Sequence, residues 1–442
     1  MKVEWRPFRP DEIIGVLSRK ERAAMKKAIR RPVVAQEVLA QLRLPLAELM
    51  RSTLLDTVIT AGSLRAIEML EEQREALCGP KHAQTTERQA YRHGSCAGSL
   101  VMGGRRVVLP RPRVRSVEGR ELELPAWKHW SDKDPLEQRA LAQMILGVST
   151  RGYAGSLERL PVEVPERGKS RSAVSRRFVQ GTQKQLAKVL QRDLSHLKLA
   201  VLMIDGVHFE DHVVLAALGI DESGNKHVLG LWEGATENAR ACKGLLEDLV
   251  TRGLATDRAM LVVLDGAKAL HKAVKDVFAS RALIQRCQEH KKRNVADQLP
   301  ESMRPSVRRA MSEAYESSDA KRGLRLLENL AARLDRDHPG AAASLREGLA
   351  ETLAVIHLGI TGRLRLTLRT TNPIDNIFGS VRRVSRRVKR WRGGRMMLRW
   401  CGAALLDAST RFRRIKGHAE MPKLVAALRA YEGTFDQQDA VA

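Results

Sequence analysis

The stretch Leu199-Ala-Val-Leu-Met-Ile-Asp205-Gly206 is a run of six apolar residues that ends on a carboxylate and a glycine. A short, uninterrupted apolar run of this kind is typical of a strand buried on both faces. The pattern recurs as Met260-Leu-Val-Val-Leu-Asp265-Gly266. An acid at the end of such a strand would stand on a rigid support with its oxygens free. The sequence therefore predicts two buried strands that each present an aspartate.

Two such strands in one sheet would bring the carboxylates of Asp205 and Asp265 to one point. Like charges that are held close together repel each other unless a cation fills the site, and Mg²⁺ is the usual partner of carboxylate oxygens. The alternative is that each aspartate opens a polar loop and caps the next helix. We favour the metal site because the pattern occurs twice in a strongly basic chain.

The composition points to a polyanionic partner. The 442 residues carry a formal charge of +26, and the pI is near 10.4. The cations are spread through segments with a folded pattern, which favours nucleic acid over a membrane surface. The five cysteines form no CxxC pair and imply no disulfide framework. No apolar run approaches the length of a membrane span, and the start, Met1-Lys-Val-Glu-Trp-Arg-Pro, lacks a signal-peptide core. We expect a cytoplasmic protein that binds nucleic acid.

The pattern changes twice upstream of Leu199. Charged and apolar residues alternate at helical spacing up to Gly79-Pro80, and residues 100–124 then alternate around Gly-Gly and Glu-Gly turns, as β-hairpins do. These hairpins carry exposed arginines, and they form either a basic ribbon for a phosphate backbone or a solvated edge.

Helical spacing returns after Pro135. Ser170 or Ser172 would cap a helix with Arg176 and Arg177 in its first turns, as in the last helix of a helix-turn-helix that enters a DNA groove. An ordinary three-helix bundle gives the same pattern. The overall charge favours DNA contact through both arginines.

Downstream of Asp205, the predicted order is strand, strand, strand, helix, strand, helix. This is the order of a ribonuclease-H-like sheet, whose catalytic acids stand on the first strand and on the next strand after the first helix. Cys287 and His290 follow the second acid. A lone Cys-x-x-His pair favours packing and hydrogen bonding over half of a zinc site, and His290 could orient a phosphate or a water.

A third acid opens a helix in Arg369-Thr-Thr-Asn372-Pro-Ile-Asp375. Asn372 suits the N-cap and Asp375 the third helical position, so a capping box is one interpretation. At about 100° per residue, however, Asp375 points away from the apolar face and along a row of arginines. Residues 361–416 hold 16 Lys and Arg against two acids, which favours DNA contact through Arg382, Arg383, Arg386, Arg387, Lys389 and Arg390.

Together these motifs resemble the bacterial Mutator-like transposases of the insertion sequence 256 family. The resemblance rests on Asp205-Gly, Asp265, Arg286-Cys-x-x-His290 and Arg369-Thr-Thr-Asn-Pro-Ile-Asp375, and it extends from about residue 90 to about residue 430. It implies a ribonuclease-H-like catalytic domain, an upstream region that binds terminal inverted repeats, and a metal-bound triad. The family carries glutamate as its third acid, whereas this chain has Asp375. One methylene less moves the carboxylate by roughly an ångström, and a shift of that size can cost about 100-fold in catalysis.

The predicted fold is multidomain α+β. It combines a ribonuclease-H-like mixed β-sheet catalytic domain, which contains a helical insertion, with upstream helical and helix-turn-helix-like DNA-binding regions. The expected upstream regions are a helical N-terminal region (1–95), a β-hairpin segment (96–134) and a helix-turn-helix-like region (135–195). The first part of the catalytic core (196–296) would be followed by the helical insertion (297–362), by the last core helix with a basic region (363–430) and by a tail (431–442).

The expected function is that of a DDE-type transposase acting as a homo-oligomer on double-stranded DNA, close to the bacterial nucleoid. Two Mg²⁺ ions, which Mn²⁺ can replace, would be held by Asp205, Asp265 and Asp375 and would serve both cleavage at the transposon end and attack of the freed 3′-OH on target DNA. Cys287, His290 and Asn372 would support the site. Two alternatives stay open: a transposase-derived DNA-binding protein with little or no catalysis, which Asp375 favours, and a metal-dependent nuclease without strand transfer.

Overall fold

The structure is a computed structural model that describes residues 46–82, 90–102, 104–132, 135–157, 166–209, 212–234 and 239–439. The first part of the predicted N-terminal region, residues 1–45, lies outside the described residues. The described chain mixes helices and sheets and divides into two compact units, one that ends at Gly181 and one that begins at Thr182. The prediction of a multidomain α+β protein is confirmed at this level.

The first unit is built on a twisted antiparallel ribbon. Strands β1 (Ala90–Met102) and β2 (Arg105–Ser116) pair along most of their length. The short strands β3 (Glu121–Leu122) and β4 (Glu166–Arg167) both pair with β2. The apolar core includes Leu70, Val114 and Leu124, which are almost fully buried. The elements are α1 (Leu46–Cys78), β1 (Ala90–Met102), β2 (Arg105–Ser116), β3 (Glu121–Leu122), α2 (Pro125–Asp132), α3 (Pro135–Ile145) and β4 (Glu166–Arg167).

The boundaries of this ribbon differ from those predicted. Strand β1 begins at Ala90, before the expected boundary at residue 96. Residues 90–95 show no alternation of apolar and polar side chains, and they belong to the strand because they pair with β2. Helix α4 (Arg171–Leu190) begins where predicted, and its Ala173 N–H donates to Ser170 Oγ at 3.4 Å. A 3₁₀ turn and strand β4 separate α3 from α4, in place of the short turn of a helix-turn-helix.

A five-stranded sheet organises the second unit, with strand order β7-β6-β5-β8-β9. Strands β5, β6 and β7 pair antiparallel in chain order, whereas β8 runs parallel to β5 and β9 runs parallel to β8. Alternate residues of β5, among them Leu202 and Ile204, pack against helices α5 and α6 on one face. The elements are β5 (Leu199–Phe209), β6 (His212–Asp221), β7 (Lys226–Gly234), α5 (Ala239–Thr251), β8 (Met260–Leu264), α6 (Lys268–Phe278) and β9 (Ala282–Arg286).

Helices follow the sheet to the end of the described chain. The group from α7 to α11 encloses its own apolar core, with Met311, Leu327 and Leu345 fully buried. Helix α13 packs against β5, and α14 packs against β6 and β7. The elements are α7 (Gln288–Asp297), α8 (Arg304–Tyr315), α9 (Ala320–Leu334), α10 (Pro339–Arg346), α11 (Ala354–His357), α12 (Gly362–Leu368), α13 (Asn372–Ser385), α14 (Gly394–Ser409) and α15 (Met421–Asp439), the last of which extends into the predicted tail.

Candidate active site

Asp205 lies inside strand β5, which is a correction to the prediction that the strand ends on this acid. The strand continues for four more residues because Gly206 to Phe209 stay paired with β6. Since side chains alternate along a strand, Asp205 points to the face opposite Leu202 and Ile204. The side chain is 7% exposed, and its Oδ1 accepts the N–H of Gly206 at 2.8 Å.

Asp265 follows strand β8 at the level of Asp205. The parallel register pairs Met203 with Val263, so the residues two positions further along are the two acids. Neighbouring strands lie about 4.8 Å apart, so this register makes the acids neighbours. Asp265 Oδ1 also accepts the N–H of Ala267, the residue that precedes α6, at 2.9 Å. One oxygen of this carboxylate therefore has the role that the alternative hypothesis gave it, because it binds the backbone of the loop that leads into the next helix.

Asp375 reaches the same face of the sheet from helix α13. The helix begins one residue earlier than predicted, because Thr371 is the N-cap residue and the exposed Asn372 is the first helical residue. Thr371 carbonyl oxygen accepts the N–H groups of Ile374 and Asp375 at 3.0 Å. The Thr371 hydroxyl donates to Asp375 Oδ2 at 3.1 Å. In a capping box, the acid would accept a backbone N–H of the N-cap residue, so the contact seen here is a different one.

The three carboxylates interact electrostatically. The pKa of Asp205 is raised, first because the carboxyl group is buried and then because the Asp375 and Asp265 charges oppose its ionisation. Of the two neighbouring acids, Asp375 has the larger effect on the pKa of Asp205. Among the described residues, no three His, Cys, Asp or Glu side chains form a complete metal-binding group. The three acids thus lie near enough to interact electrostatically without forming a complete metal-binding group.

The three residues from Arg286 to Gln288 join the loops of the second and third acids. On one side, Cys287 N–H donates to Leu264 carbonyl oxygen at 2.7 Å, and Arg286 Nη2 donates to Gly266 carbonyl oxygen at 2.6 Å. These bonds hold the backbone on both sides of Asp265. Arg286 is 6% exposed, and its other terminal nitrogen donates to the carbonyl oxygen of Glu347. The end of β9 is thereby locked against the Asp265 loop.

On the other side, the same junction holds the start of α13. Gln288 N–H donates to Arg369 carbonyl oxygen at 3.0 Å, and Thr371 N–H donates to Cys287 Sγ at 3.5 Å. Thr371 is fully buried, so these contacts are shielded from water. Sequence reasoning did not single out Arg286 or Thr371 as functional. The one signal was their position within the two motifs that carry the family resemblance.

Cys287 and His290 form a polar pair beside the acids. His290 Nδ1 lies 3.4 Å from Thr371 Oγ1. The pKa of His290 is raised to about 9, first by its hydrogen bond with Cys287, while the charges of Asp205 and Asp265 act in the same direction. Burial by itself would raise the pKa of the Cys287 thiol, but hydrogen bonds with His290 and Thr371 bring it below its usual value. Cys287 and His290 therefore contact Thr371, whose hydroxyl donates to Asp375.

The predicted DNA-binding cations are exposed around the end of α13. The apolar face is as predicted, with Ile374, Ile377, Val381 and Val384 buried. The helix ends at Ser385, and Arg386 is the C-cap residue that follows it. Crowded like charges at helical spacing disfavour continuation. The exposed side chains are Arg382, Arg383, Arg386, Arg387, Lys389 and Arg390.

Most of these cations have no acidic partner. Arg383 lies 4.0 Å from Asp407, and Arg387 has a contact of its own. Within the described chain, Arg382, Arg386, Lys389 and Arg390 form no ion pair, so they are available to an external anion. In the first unit, Arg176 is exposed, whereas Arg177 donates to Gly168 carbonyl oxygen at 2.7 Å.

The sequence as a whole is similar to known transposases. The model of the Mutator family of transposases matches residues 36–414. The chain is 31% identical over 246 residues to the transposase for insertion sequence element IS6120 of Mycolicibacterium smegmatis, which covers 54% of this chain and 73% of that protein. It is 29% identical over 328 residues to the transposase for IS406 of Burkholderia multivorans, which covers 72% and 82%.

These similarities place the chain among the insertion-sequence transposases. It belongs to the Mutator family, whose model spans most of its length. The predicted family is confirmed. In the part of the chain that the structure describes, no helix is both long enough and apolar enough to cross a membrane.

Proposed function

We propose that the second unit is a ribonuclease-H-like catalytic domain and that Asp205, Asp265 and Asp375 are its DDE-type triad. The observation that carries the proposal is the convergence of three acids from β5, from the end of β8 and from the start of α13. The strand order and the parallel placement of β8 beside β5 support it. The substrate would be double-stranded DNA at the terminal inverted repeats of an insertion sequence.

The donor chemistry of the three acids fits Mg²⁺, with Mn²⁺ as a substitute. Carboxylate oxygens are the ligands that such hard cations prefer, and the raised pKa of Asp205 reflects buried, uncompensated negative charge that a cation would relieve. When bound, the metal would supply Lewis-acid stabilisation of a phosphate oxygen and a water of lowered pKa. Asp205, Asp265 and Asp375 would hold it, and Thr371 would orient Asp375 through its hydroxyl.

The exposed cations after α13 would hold the DNA backbone next to these acids. Arg382 and Arg386 form no ion pair in the described chain, and neutralisation of phosphates by such residues supplies most of the sequence-independent affinity for DNA. Residues 135–195 would bind the inverted repeats, with Arg176 exposed to the phosphates. The protein would act as a homo-oligomer on two DNA ends, in the cytoplasm and close to the nucleoid.

A second candidate is a DNA-binding protein with little or no catalysis. It is favoured by Asp375, because the resemblance implies glutamate at this position and the shorter side chain shifts the carboxylate by roughly an ångström. A nuclease that cuts without joining is the third possibility. The three functions differ in which DNA product they yield.

The test is a strand-transfer assay with labelled DNA taken from the regions that flank the coding sequence. We expect cut ends joined to target DNA in the presence of Mg²⁺, and no product from Asp205→Asn or Asp265→Asn, while both variants bind DNA as well as the unaltered protein or more tightly. Asp276→Asn, which changes an exposed aspartate on α6, is the matched control. Binding without cleavage would favour the second candidate, and cleavage without joining the third. Wild-type activity in either acid variant would remove that residue from the site.

A further inference from the structure

Three aromatic rings form a cluster at the far end of strand β5. The ring centroids of Phe209 and Trp391 lie 4.9 Å apart with an interplanar angle of 66°, and those of Trp391 and Trp400 lie 6.5 Å apart at 88°. Phe209 is buried, whereas Trp391 and Trp400 are only partly buried. Edge-to-face packing of this kind holds a ring in one orientation. Trp391 is therefore a fixed ring with part of its surface open to solvent.

The cluster lies on the same face of the sheet as the acids. Phe209 follows Asp205 by four residues, and side chains at even spacing along a strand share a face. At about 3.3 Å per residue, the two positions are about 13 Å apart along β5. Helix α13 leads from Asp375 toward the same place, because Trp391 lies in the loop that follows it. The aromatic cluster and the acids thus lie along one track.

The loop that carries Trp391 is anchored at its end. Gly393 has a φ of +123°, and a Cβ added to Gly394 would lie 1.8 Å from the carboxyl carbon of Glu233. Glu233 is in turn 3.1 Å from His212 Nδ1, and His212 is the β6 partner of Phe209. The close approach at Gly394 and the pairing around Phe209 hold the loop against the hairpin end of β5 and β6.

Exposed cations flank Trp391 along the chain. Lys389, Arg390 and Arg392 are exposed in the same loop, and Arg386 is exposed where the loop begins. Of the described residues, these four make no ion pair with an acid. A partly open aromatic ring in a loop with unpaired cations is the combination by which proteins bind unpaired nucleic acid, with the base stacked on the ring and the backbone on the charges.

We propose that Trp391 is a stacking site for an unpaired DNA base beside the catalytic acids. The proposal rests on the proposed function, because it assumes that DNA runs along the track from Asp205 to Phe209. A separation of about 13 Å corresponds to about four nucleotides at 3.4 Å each, so the stacked base would be about four nucleotides from the phosphate at the acids. A base inside an intact duplex cannot reach the ring. The site therefore requires locally opened DNA at the end that is processed.

The test measures DNA affinity without cleavage, in the full-length Asp205→Asn protein. The probes are a blunt duplex and the same duplex with a short unpaired thymidine extension that carries one fluorescent adenine analogue. We expect the extended duplex to bind about tenfold more tightly and the analogue to be quenched by stacking. Trp391→Leu keeps an apolar side chain against Phe209 but should abolish both the preference and the quenching. Trp391→Phe should keep part of both.

Trp232→Ala is the matched control, because Trp232 is 37% exposed and packs against Gly244 of α5, on the opposite face of the sheet. It should leave the preference unchanged. Arg386→Ala should weaken both probes equally. Circular dichroism of each variant verifies that it is folded. A preference that survives in Trp391→Leu, or a wild-type chain that binds both probes equally, would overturn the proposal. Failure to bind either probe would instead contradict the proposed function.

Discussion

The two ends of helix α13 present opposite environments. At the first end, Thr371 is fully buried and contacts Cys287, His290 and Asp375 through hydrogen bonds. At the other end, Arg382 and Arg386 are exposed and form no ion pair within the described residues. The helix therefore begins beside a side chain held by several contacts and ends, about 16 Å further along, near exposed side chains without an acidic partner.

The difference corresponds to two physical demands. A carboxylate that holds a cation must be placed to within a fraction of an ångström, which requires buried, directional support. A cation that neutralises a phosphate backbone acts through charge at longer range, so mobility costs little affinity. Substitutions at the first end should therefore change the rate of the reaction, and substitutions at the second end should change DNA affinity.

Asp375 should give the largest effect. Asp375→Asn keeps the shape but removes the charge, so we expect strand transfer in Mg²⁺ to fall by more than about 100-fold with the fold intact. Asp375→Glu restores the side chain that the resemblance implies and should raise the rate, because Thr371 to Ile374 keep the family's pattern. The measurement is the strand-transfer rate of the three proteins. Equal rates for all three would exclude Asp375 from the active site.

Thr371 should give the next largest effect. Thr371→Val removes the hydroxyl that supports Asp375 at nearly constant volume, and loss of such a supporting contact reduces activity or metal affinity by about 10- to 100-fold. We expect a higher Mg²⁺ concentration at half-maximal rate, unchanged DNA affinity and recovery in Thr371→Ser. The control is Thr367→Val, because the Thr367 hydroxyl donates to backbone oxygens of Arg363 and Lys416 and touches no acid. An unchanged Mg²⁺ dependence would contradict the positioning role.

The exposed end should respond differently. Replacing Arg382 and Arg386 by alanine should weaken DNA binding and reduce the slope of log affinity against log salt by roughly one unit per lost phosphate contact. The rate with saturating DNA should change little. Arg333→Ala, an exposed arginine on α9, serves as the control. If the double variant keeps the wild-type salt slope, these arginines are part of a solvated face.

Glu316 should give the smallest effect. Arg369 Nη1 donates to Glu316 Oε1 at 2.6 Å, and this bond is the main reason why the pKa of Glu316 is lowered. A lowered folded-state pKa means that the stabilisation is present above the unfolded value of about 4.3 and is lost as the pH falls through the folded value. Because the Glu316 side chain is 60% exposed, Glu316→Gln should cost less than about 1 kcal/mol.

Urea unfolding of the Glu316→Gln protein at neutral pH and below both pKa values measures this difference. The cost should disappear at the lower pH, and strand transfer should be unaffected. A large loss of activity would show that this surface pair, and not the buried junction around Cys287, holds the start of α13.

Local pattern was sufficient for the elements that carry the acids. The apolar runs before Asp205 and Asp265 predicted buried strands, because an uninterrupted run of apolar residues can be recognised in the sequence without knowing which strands pair with it. The buried face of α13 followed from its helical period, and the composition pointed to a polyanion. The sequence thus predicted the strands and the helix that carry the three acids, and it singled out the arginines near Arg386 that the structure exposes.

Contacts between distant residues were decided only by the tertiary structure. Cys287 and Thr371 are 84 residues apart, and their hydrogen bond depends on how β9 and α13 pack. Asp205 was predicted to end the strand because the uninterrupted apolar run stops at this residue, yet pairing with β6 extends the strand to Phe209. The contact of Phe209 with Trp391 has no signature in either local sequence. Periodicity determines which face of an element is apolar, whereas the partner of each polar or aromatic side chain is set by packing between elements that the chain separates.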